Sequence, residues 1–109
     1  MSEKKEPIEF KFSLRNNKEN PVWIVGTAKI DGVNYGINGK VFLEGSVFGI
    51  DNGPISKLYI RNEDKRKVIV NYERGWDIVP ETEYDKQIMD RVMQELQKFR
   101  KKHPYEPDM

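Results

Sequence analysis

The side chains with the clearest binding chemistry lie in two short segments of the 109-residue chain. Residues 44–58 contain three glycines, whose backbone N–H groups can surround an anion, and they add hydroxyl and ammonium donors. Residues 71–77 contain a phenol ring, a guanidinium group and an indole ring, which offer flat contact surface to a base or to a partner's side chain. We predict that the two segments adjoin and form a ligand site from Ser46, Ser56, Lys57, Tyr72, Arg74 and Trp76.

Each segment also has a purely structural interpretation, which the sequence leaves open. Residues 44–54 can be a long hairpin connection in which the glycines form turns while Phe48 and Ile50 anchor the loop to the core. The segment lacks the lysine-serine pair of a phosphate-binding loop and does not precede a predicted helix, so its match to a nucleotide-binding motif is weak. Trp76 can fill the core beneath a helix, because an indole buries a large area in a small domain.

Little in the sequence points to catalysis or to a metal. The single histidine, His103, lies at a basic helix end beside a proline, with no nearby serine or cysteine nucleophile for it to activate. One histidine and no cysteine cannot supply the ligands of a usual zinc site. Four acids match no calcium-loop spacing and are interpreted as solvated loop residues: Glu44, Asp51, Asp77 and Glu81. We therefore expect a non-enzymatic protein with no cofactor and no metal.

The charge balance and the composition limit the partners and the location of the protein. Because 19 basic residues nearly cancel 18 acidic ones, no long-range field attracts polyanions, and general binding to duplex nucleic acid is not expected. The absence of cysteine, of a signal peptide at residues 1–7 and of a long apolar run predicts a cytoplasmic protein that does not bind a membrane. The apolar fraction of 37% indicates a thin core, which a homo-oligomer would supplement.

Alternating and β-branched stretches predict an antiparallel meander of five strands. The strongest local signal is Asp31-Gly32, since both residues tolerate the positive φ of a two-residue type I′ hairpin. Residues 15–21 collect turn formers and charge, and Leu43 is expected on the buried face at the end of the third strand. The strands are predicted over residues 8–14, 22–30, 33–43, 55–61 and 67–73.

A single amphipathic helix is predicted after the sheet. Thr82 can cap the free N–H groups of its first turn, and His103-Pro104 ends it. Its apolar residues recur every three or four positions, at Tyr84, Ile88, Val92, Leu96 and Phe99. The predicted fold is therefore α+β, a five-stranded antiparallel meander with one C-terminal helix packed on one face. It forms a single domain over residues 8–103, with flexible ends at 1–7 and 104–109.

Two runs of sequence carry a resemblance to known proteins. The runs EGSVFGIDNGPISKL at residues 44–58 and NYERGWD at residues 71–77 resemble a group of small uncharacterised proteins from phages and prophages of Gram-positive bacteria. The resemblance implies a viral or mobile-element origin, and small phage accessory proteins frequently disable host defences. No functional residue can be carried over from this group, because none is assigned in it.

Two functions of different classes follow from these observations. The first is a non-enzymatic anti-defence protein that binds and sequesters a nucleotide-derived immune signal in the host bacterial cytoplasm, with a possible homo-oligomeric state. The alternative is a protein-protein inhibitor that occupies a surface of a host defence effector, as anti-CRISPR proteins do. This alternative predicts an exposed apolar and aromatic patch with a charged rim.

Overall fold

The computed structural model describes residues 8–14 and 22–103. These residues contain six antiparallel strands and one long helix. In chain order the elements are β1 (Glu9–Leu14), β2 (Trp23–Ile30), β3 (Val33–Val41), β4 (Ile55–Asn62), β5 (Lys67–Glu73), β6 (Trp76–Ile78) and α1 (Glu83–Lys102). Each strand pairs with its neighbours in sequence, so the sheet is a meander. The predicted α+β class is confirmed, but the sheet has six strands and the prediction of five is wrong.

The strand that the sequence did not reveal, β6, is three residues long. It pairs with β5 only through Asn71 opposite Ile78 and Tyr72 opposite Trp76, with a register shift between the two pairs. Sequence patterns identify strands from runs of about four to eight alternating residues, and three residues are too few to show a period. The chain reverses into β6 at Arg74, which has a φ of 58°.

The boundaries of the other strands follow their sequence signals closely. Asp31 and Gly32 have φ values of 54° and 79°, as a two-residue type I′ turn requires. β3 ends at Val41 and does not reach residue 43, and Leu43 is 39% exposed, so its predicted place on the buried face is wrong. A register shift lies between Lys40 and Val41, and the pair of Val41 with Ile55 beyond it is the last of the β3–β4 ladder, so the chain has left the sheet by residue 43.

Helix α1 starts and packs as its sequence indicates. The Thr82 hydroxyl accepts a hydrogen bond from the Asp85 N–H at 3.0 Å, which caps the first turn. Leu96 lies against Gly39, where an added Cβ would come within 3.2 Å of the leucine Cδ1, so the glycine lets the helix approach the sheet. Tyr84 is 44% exposed at the edge of the apolar stripe, and its hydroxyl donates to the Asp31 carboxylate at 2.6 Å.

The two faces of the sheet differ because side chains alternate along each strand. One face packs against α1 and carries the buried residues Ile24, Ile37, Val41, Leu58, Ile60, Val70 and Tyr72. We call the opposite surface the far face. It carries the partly exposed residues Trp23, Lys40, Lys57, Tyr59 and Asn71.

Three sequence predictions lie outside the described residues: the turn at 15–21 and the flexible ends at 1–7 and 104–109. Within the described part of the chain, no helix is both long and apolar enough to cross a membrane.

Candidate functional site

The connection between β3 and β4, residues 42–54, is a folded loop. We call it the β3–β4 loop. It is closed by hydrogen bonds from the Phe42 N–H to the Pro54 carbonyl at 2.9 Å and from the Ser46 N–H to the Gly53 carbonyl at 3.2 Å. A short 3-10 turn, Ile50–Asn52, lies within it, and Ile50 anchors the loop to the core at 4% exposure. The predicted core anchor at Ile50 is thus confirmed, whereas the second one, Phe48, is 52% exposed.

At two positions of the loop, other backbone atoms of the loop lie so close that only glycine fits. A Cβ on Gly45 would come within 2.3 Å of the Asn52 carbonyl oxygen, and one on Gly49 within 1.8 Å of the Gly53 carbonyl oxygen. No side chain fits at such distances without movement of the backbone. The glycines therefore have a structural role in folding the loop, as the turn interpretation of the sequence anticipated.

The β3–β4 loop contacts the turn between β5 and β6. The Tyr72 hydroxyl donates to the Phe48 carbonyl at 2.9 Å, and the Arg74 guanidinium carbon lies 5.1 Å from the centroid of the Phe48 ring. The Arg74 N–H also donates to the Ser56 carbonyl at 3.1 Å. The two segments with binding chemistry are therefore in direct contact.

A cavity of about 380 Å³ opens where the loop meets this turn, and we call it the loop cavity. It contains two aromatic rings, two cationic groups, two hydroxyls and one carboxylate. The residues that line it are Lys40, Phe42, Glu44, Ser46, Phe48, Ser56 and Arg74. Its volume lies at the small end of the range of about 300–1,000 Å³ that is usual for ligand pockets.

The structure divides the six predicted site residues among three places. Ser46, Ser56 and Arg74 line the loop cavity. Lys57 and Tyr72 line a second cavity of about 180 Å³, which we call the far-face cavity.

Trp76 lines neither of these two cavities. It is 42% exposed, and its ring meets Tyr72 edge-on at a centroid distance of 5.0 Å. The alternative that Trp76 fills the core beneath the helix is therefore wrong. The indole instead covers one side of the tyrosine that holds the loop.

Ten further residues line the two cavities, and four of them, to which the sequence gave no binding role, matter for the chemistry of the cavities. Lys40 and Phe42 line the loop cavity together with Phe48, and Trp23 lines the far-face cavity. For Lys40 and Phe42 the sequence did contain a signal, since both alternate with the core residue Val41 and so point away from the helix.

The local electrostatics are set by three cationic and two acidic groups. Lys40 and Lys57 are direct partners in the register of β3 and β4. The Lys57 Nζ lies 3.0 Å from a carboxylate oxygen of Glu73, and this ion pair lowers the pKa of Glu73 below its ordinary value of 4.5. The three cationic groups are those of Lys40, Lys57 and Arg74. The two acidic groups are Glu44 and Glu73, so the net charge of the residues that line the two cavities is slightly positive.

In the described part of the chain, histidine and acidic residues form no group of three or more that could hold a metal ion.

Fold and site together define a small α+β domain that has an antiparallel meander, one covering helix and a mixed aromatic and cationic cavity at one end of the sheet. The chain belongs to the family described as domain of unknown function (DUF7678), whose sequence profile matches residues 22–97. That range runs from the start of β2 into the last turns of α1 and includes every residue that lines the two cavities. No curated protein and no solved structure matches the chain.

Proposed function

We propose that this protein is a non-enzymatic binding protein that takes a nucleotide-derived small molecule into the loop cavity. The proposal is supported by one observation above the others: two aromatic rings, Phe42 and Phe48, and two cations, Lys40 and Arg74, line the same cavity. A base stacks on aromatic rings, and a phosphate is attracted to cationic groups. A nucleotide combines both features in one ligand.

The individual side chains fit different parts of such a ligand. The Arg74 guanidinium is planar and can bind two phosphate oxygens at once, and it lies beside the Phe48 ring. The Ser46 Oγ accepts a hydrogen bond from the Phe48 N–H at 3.2 Å, so its own hydrogen can be donated to the ligand. Glu44 repels phosphate but accepts hydrogen bonds from ribose hydroxyls or from a base, and it would therefore orient the ligand.

The biological role in the proposal is anti-defence. The resemblance of residues 44–58 and 71–77 to small phage and prophage proteins supports a function inside an infected bacterium. A protein that binds a nucleotide immune signal and leaves it chemically unchanged would lower the free concentration of that signal in the host cytoplasm. Sequestration of this kind needs affinity and no catalytic group.

The test is isothermal titration calorimetry of the purified protein against AMP, ADP-ribose and cyclic mononucleotides. We expect heat with at least one of them, and a loss of affinity of tenfold or more in Arg74→Gly. Arg66→Gly is the matched control, because Arg66 has a similar φ of 54° and lies away from the cavity in the β4–β5 turn. Absence of heat with every ligand would remove the proposal. Chromatography of the recovered ligand must show it unaltered, since conversion would contradict the non-enzymatic role.

A second function, inhibition of a host defence protein by surface binding, is favoured by a different observation. Three large apolar side chains near the loop are strongly exposed: Val47 at 80%, Phe48 at 52% and Trp76 at 42%. Exposed apolar and aromatic groups of this kind are typical of protein-binding surfaces. A tagged copy should then retain a host effector from lysate, and Val47→Asp should release it. Retention of no host protein would end this alternative.

The same exposed groups are available to a second copy of the chain. Size-exclusion chromatography with light scattering on the wild type and on Val47→Asp separates this case, because a dimer through Val47 would dissociate in the variant. A wild-type monomer would contradict a homo-oligomer.

A further inference from the structure

Lys40 lies between an aromatic ring of the loop cavity and an aromatic ring of the far-face cavity. Its Nζ is 5.4 Å from the centroid of Phe42, which lines the loop cavity, and 5.6 Å from that of Trp23, which lines the far-face cavity. The two cavities are thus neighbours, and Lys40, which lines the loop cavity, lies at their border.

A second ammonium group lies at the same border. The Lys57 Nζ is 5.4 Å from the Trp23 centroid, and Lys57 is the direct cross-strand partner of Lys40. Like charges directly opposite each other on neighbouring strands destabilise a sheet. Glu73 forms an ion pair with Lys57 at 3.0 Å, which offsets only one of the two charges. An unfavourable local pair of this kind is expected where an anion binds between its members.

The volumes indicate how the two cavities relate. The far-face cavity, at about 180 Å³, is below the range of about 300–1,000 Å³ for ligand pockets, whereas the loop cavity, at about 380 Å³, reaches it. The far-face cavity is therefore too small to hold a whole nucleotide, but it can extend the loop cavity. Trp23, Lys40 and Lys57 are successive register partners, so they form one row across three strands, about 10 Å from first to last.

We propose that the two cavities form a single site for a ligand that has two bases joined through phosphate. One base contacts Phe42 and Phe48 in the loop cavity, the phosphate lies at Lys40 and Lys57, and the second base contacts Trp23. This inference rests on the proposed nucleotide-binding function and specifies its ligand class. A mononucleotide would fill only the loop cavity, where Arg74 can bind its phosphate, and would leave the lysine pair without a bridging anion.

The experiment compares one-base and two-base ligands by calorimetry. AMP and GMP are measured beside the linear dinucleotides pApA and pGpG and beside cyclic di-AMP and cyclic di-GMP. We expect at least one two-base ligand to bind ten times more tightly than its mononucleotide. Trp23→Ala should abolish this advantage while the affinity for the mononucleotide changes less than twofold.

Three further variants separate binding from folding. Trp23→Phe keeps an aromatic ring and should retain most of the advantage, and Lys57→Met should lower it by tenfold or more. Lys29→Met is the matched control, since Lys29 is an exposed lysine of the far face near the other end of β2 and should behave as the wild type. If Trp23→Ala fails to fold by circular dichroism, the Trp23→Phe and Lys57→Met results decide.

The possible outcomes distinguish this inference from the proposed function. Equal affinity for one-base and two-base ligands would overturn the inference and leave the proposed function intact. Equal losses of both affinities in Trp23→Ala would also overturn it, because the indole would then act only on the fold. No binding of either kind would overturn both. Binding of a ten-nucleotide single strand more than tenfold tighter than the dinucleotide would also overturn the inference, because the site would then extend beyond two bases.

Discussion

The Tyr72 hydroxyl donates a hydrogen bond to the Phe48 carbonyl at 2.9 Å, and this contact joins the β3–β4 loop to β5. Tyr72 is 7% exposed, and its ring also meets Trp76 edge-on. One tyrosine therefore holds the loop on one side and the start of β6 on the other. Because Phe48 lines the loop cavity, the shape of the cavity depends on this hydrogen bond.

Tyr72→Phe should loosen the loop and leave the sheet in place. The substitution removes the hydroxyl and leaves the Phe48 carbonyl without this donor, a change that costs about 0.5–1.5 kcal/mol of the free energy of unfolding. Denaturation in urea measures that loss. Amide hydrogen exchange of Gly49 and Gly53, whose N–H groups bond within the loop, should accelerate. Tyr59→Phe, on the far face, is the control; equal acceleration in both variants would contradict the assigned role of Tyr72.

Arg74→Gly should separate stability from binding. Arg74 has a φ of 58°, a conformation that costs a non-glycine residue about 1–2 kcal/mol, whereas glycine adopts it freely but loses more entropy on folding. The variant also loses the contact of the guanidinium with Phe48. We expect its free energy of unfolding to stay within about 1 kcal/mol of the wild type.

Arg66→Gly provides the comparison, because Arg66 has a φ of 54° and is exposed in the β4–β5 turn. The Arg66→Gly variant removes the same strain of a positive φ, and it should be as stable as the wild type or more stable. Thermal melts of both variants, followed by nucleotide titration, complete the test. Loss of binding in both Arg74→Gly and Arg66→Gly would show that the change of backbone flexibility, and not removal of the Arg74 side chain, lowers the affinity.

Local signals in the sequence were sufficient for most of the fold. The Asp31-Gly32 turn and β5 agree with the prediction because turn residues and period-two alternation act over a few neighbouring positions. The helix agrees because its cap and its apolar stripe are also local. β6 could not be predicted, since three residues paired next to a register shift show no period.

The site was predictable only in part, because its geometry depends on contacts between distant strands. The two segments with binding chemistry are in contact, as predicted, and Ser46, Ser56 and Arg74 line one cavity. Lys40 gained its importance from its register partner Lys57 on the next strand and from the ring of Trp23. Sequence alternation gives the face of each side chain but does not give the cross-strand register when bulges intervene.

Gly49→Ala should disrupt the β3–β4 loop. A Cβ at this position would lie 1.8 Å from the Gly53 carbonyl oxygen, so the backbone of the loop has to move. Strain of this size typically costs about 1–3 kcal/mol. We expect a lower melting temperature and weaker nucleotide binding. Gly75→Ala is the control, because nothing lies within 4 Å of the added Cβ, and it should melt as the wild type does. Unchanged loop amide shifts in Gly49→Ala would contradict the close-approach argument.

Lys57→Met should raise the pKa of Glu73. In the wild type the hydrogen bond and the charge of Lys57 hold this pKa below 4.5. The folded protein therefore binds the Glu73 proton more weakly than the unfolded chain does. The resulting stabilisation is complete above pH 4.5 and is lost as the pH falls through the lowered pKa.

In the Lys57→Met variant the pKa of Glu73 should return towards 4.5, and the stability difference between the variant and the wild type should shrink at acid pH. Carbon-detected NMR titration of the Glu73 carboxyl group measures the shift directly, with Lys29→Met as the control. A ligand phosphate bound at Lys57 should raise the same pKa in the wild type, because it competes with Glu73 for the ammonium group. No change of the Glu73 pKa in Lys57→Met would show that the ion pair does not form in solution.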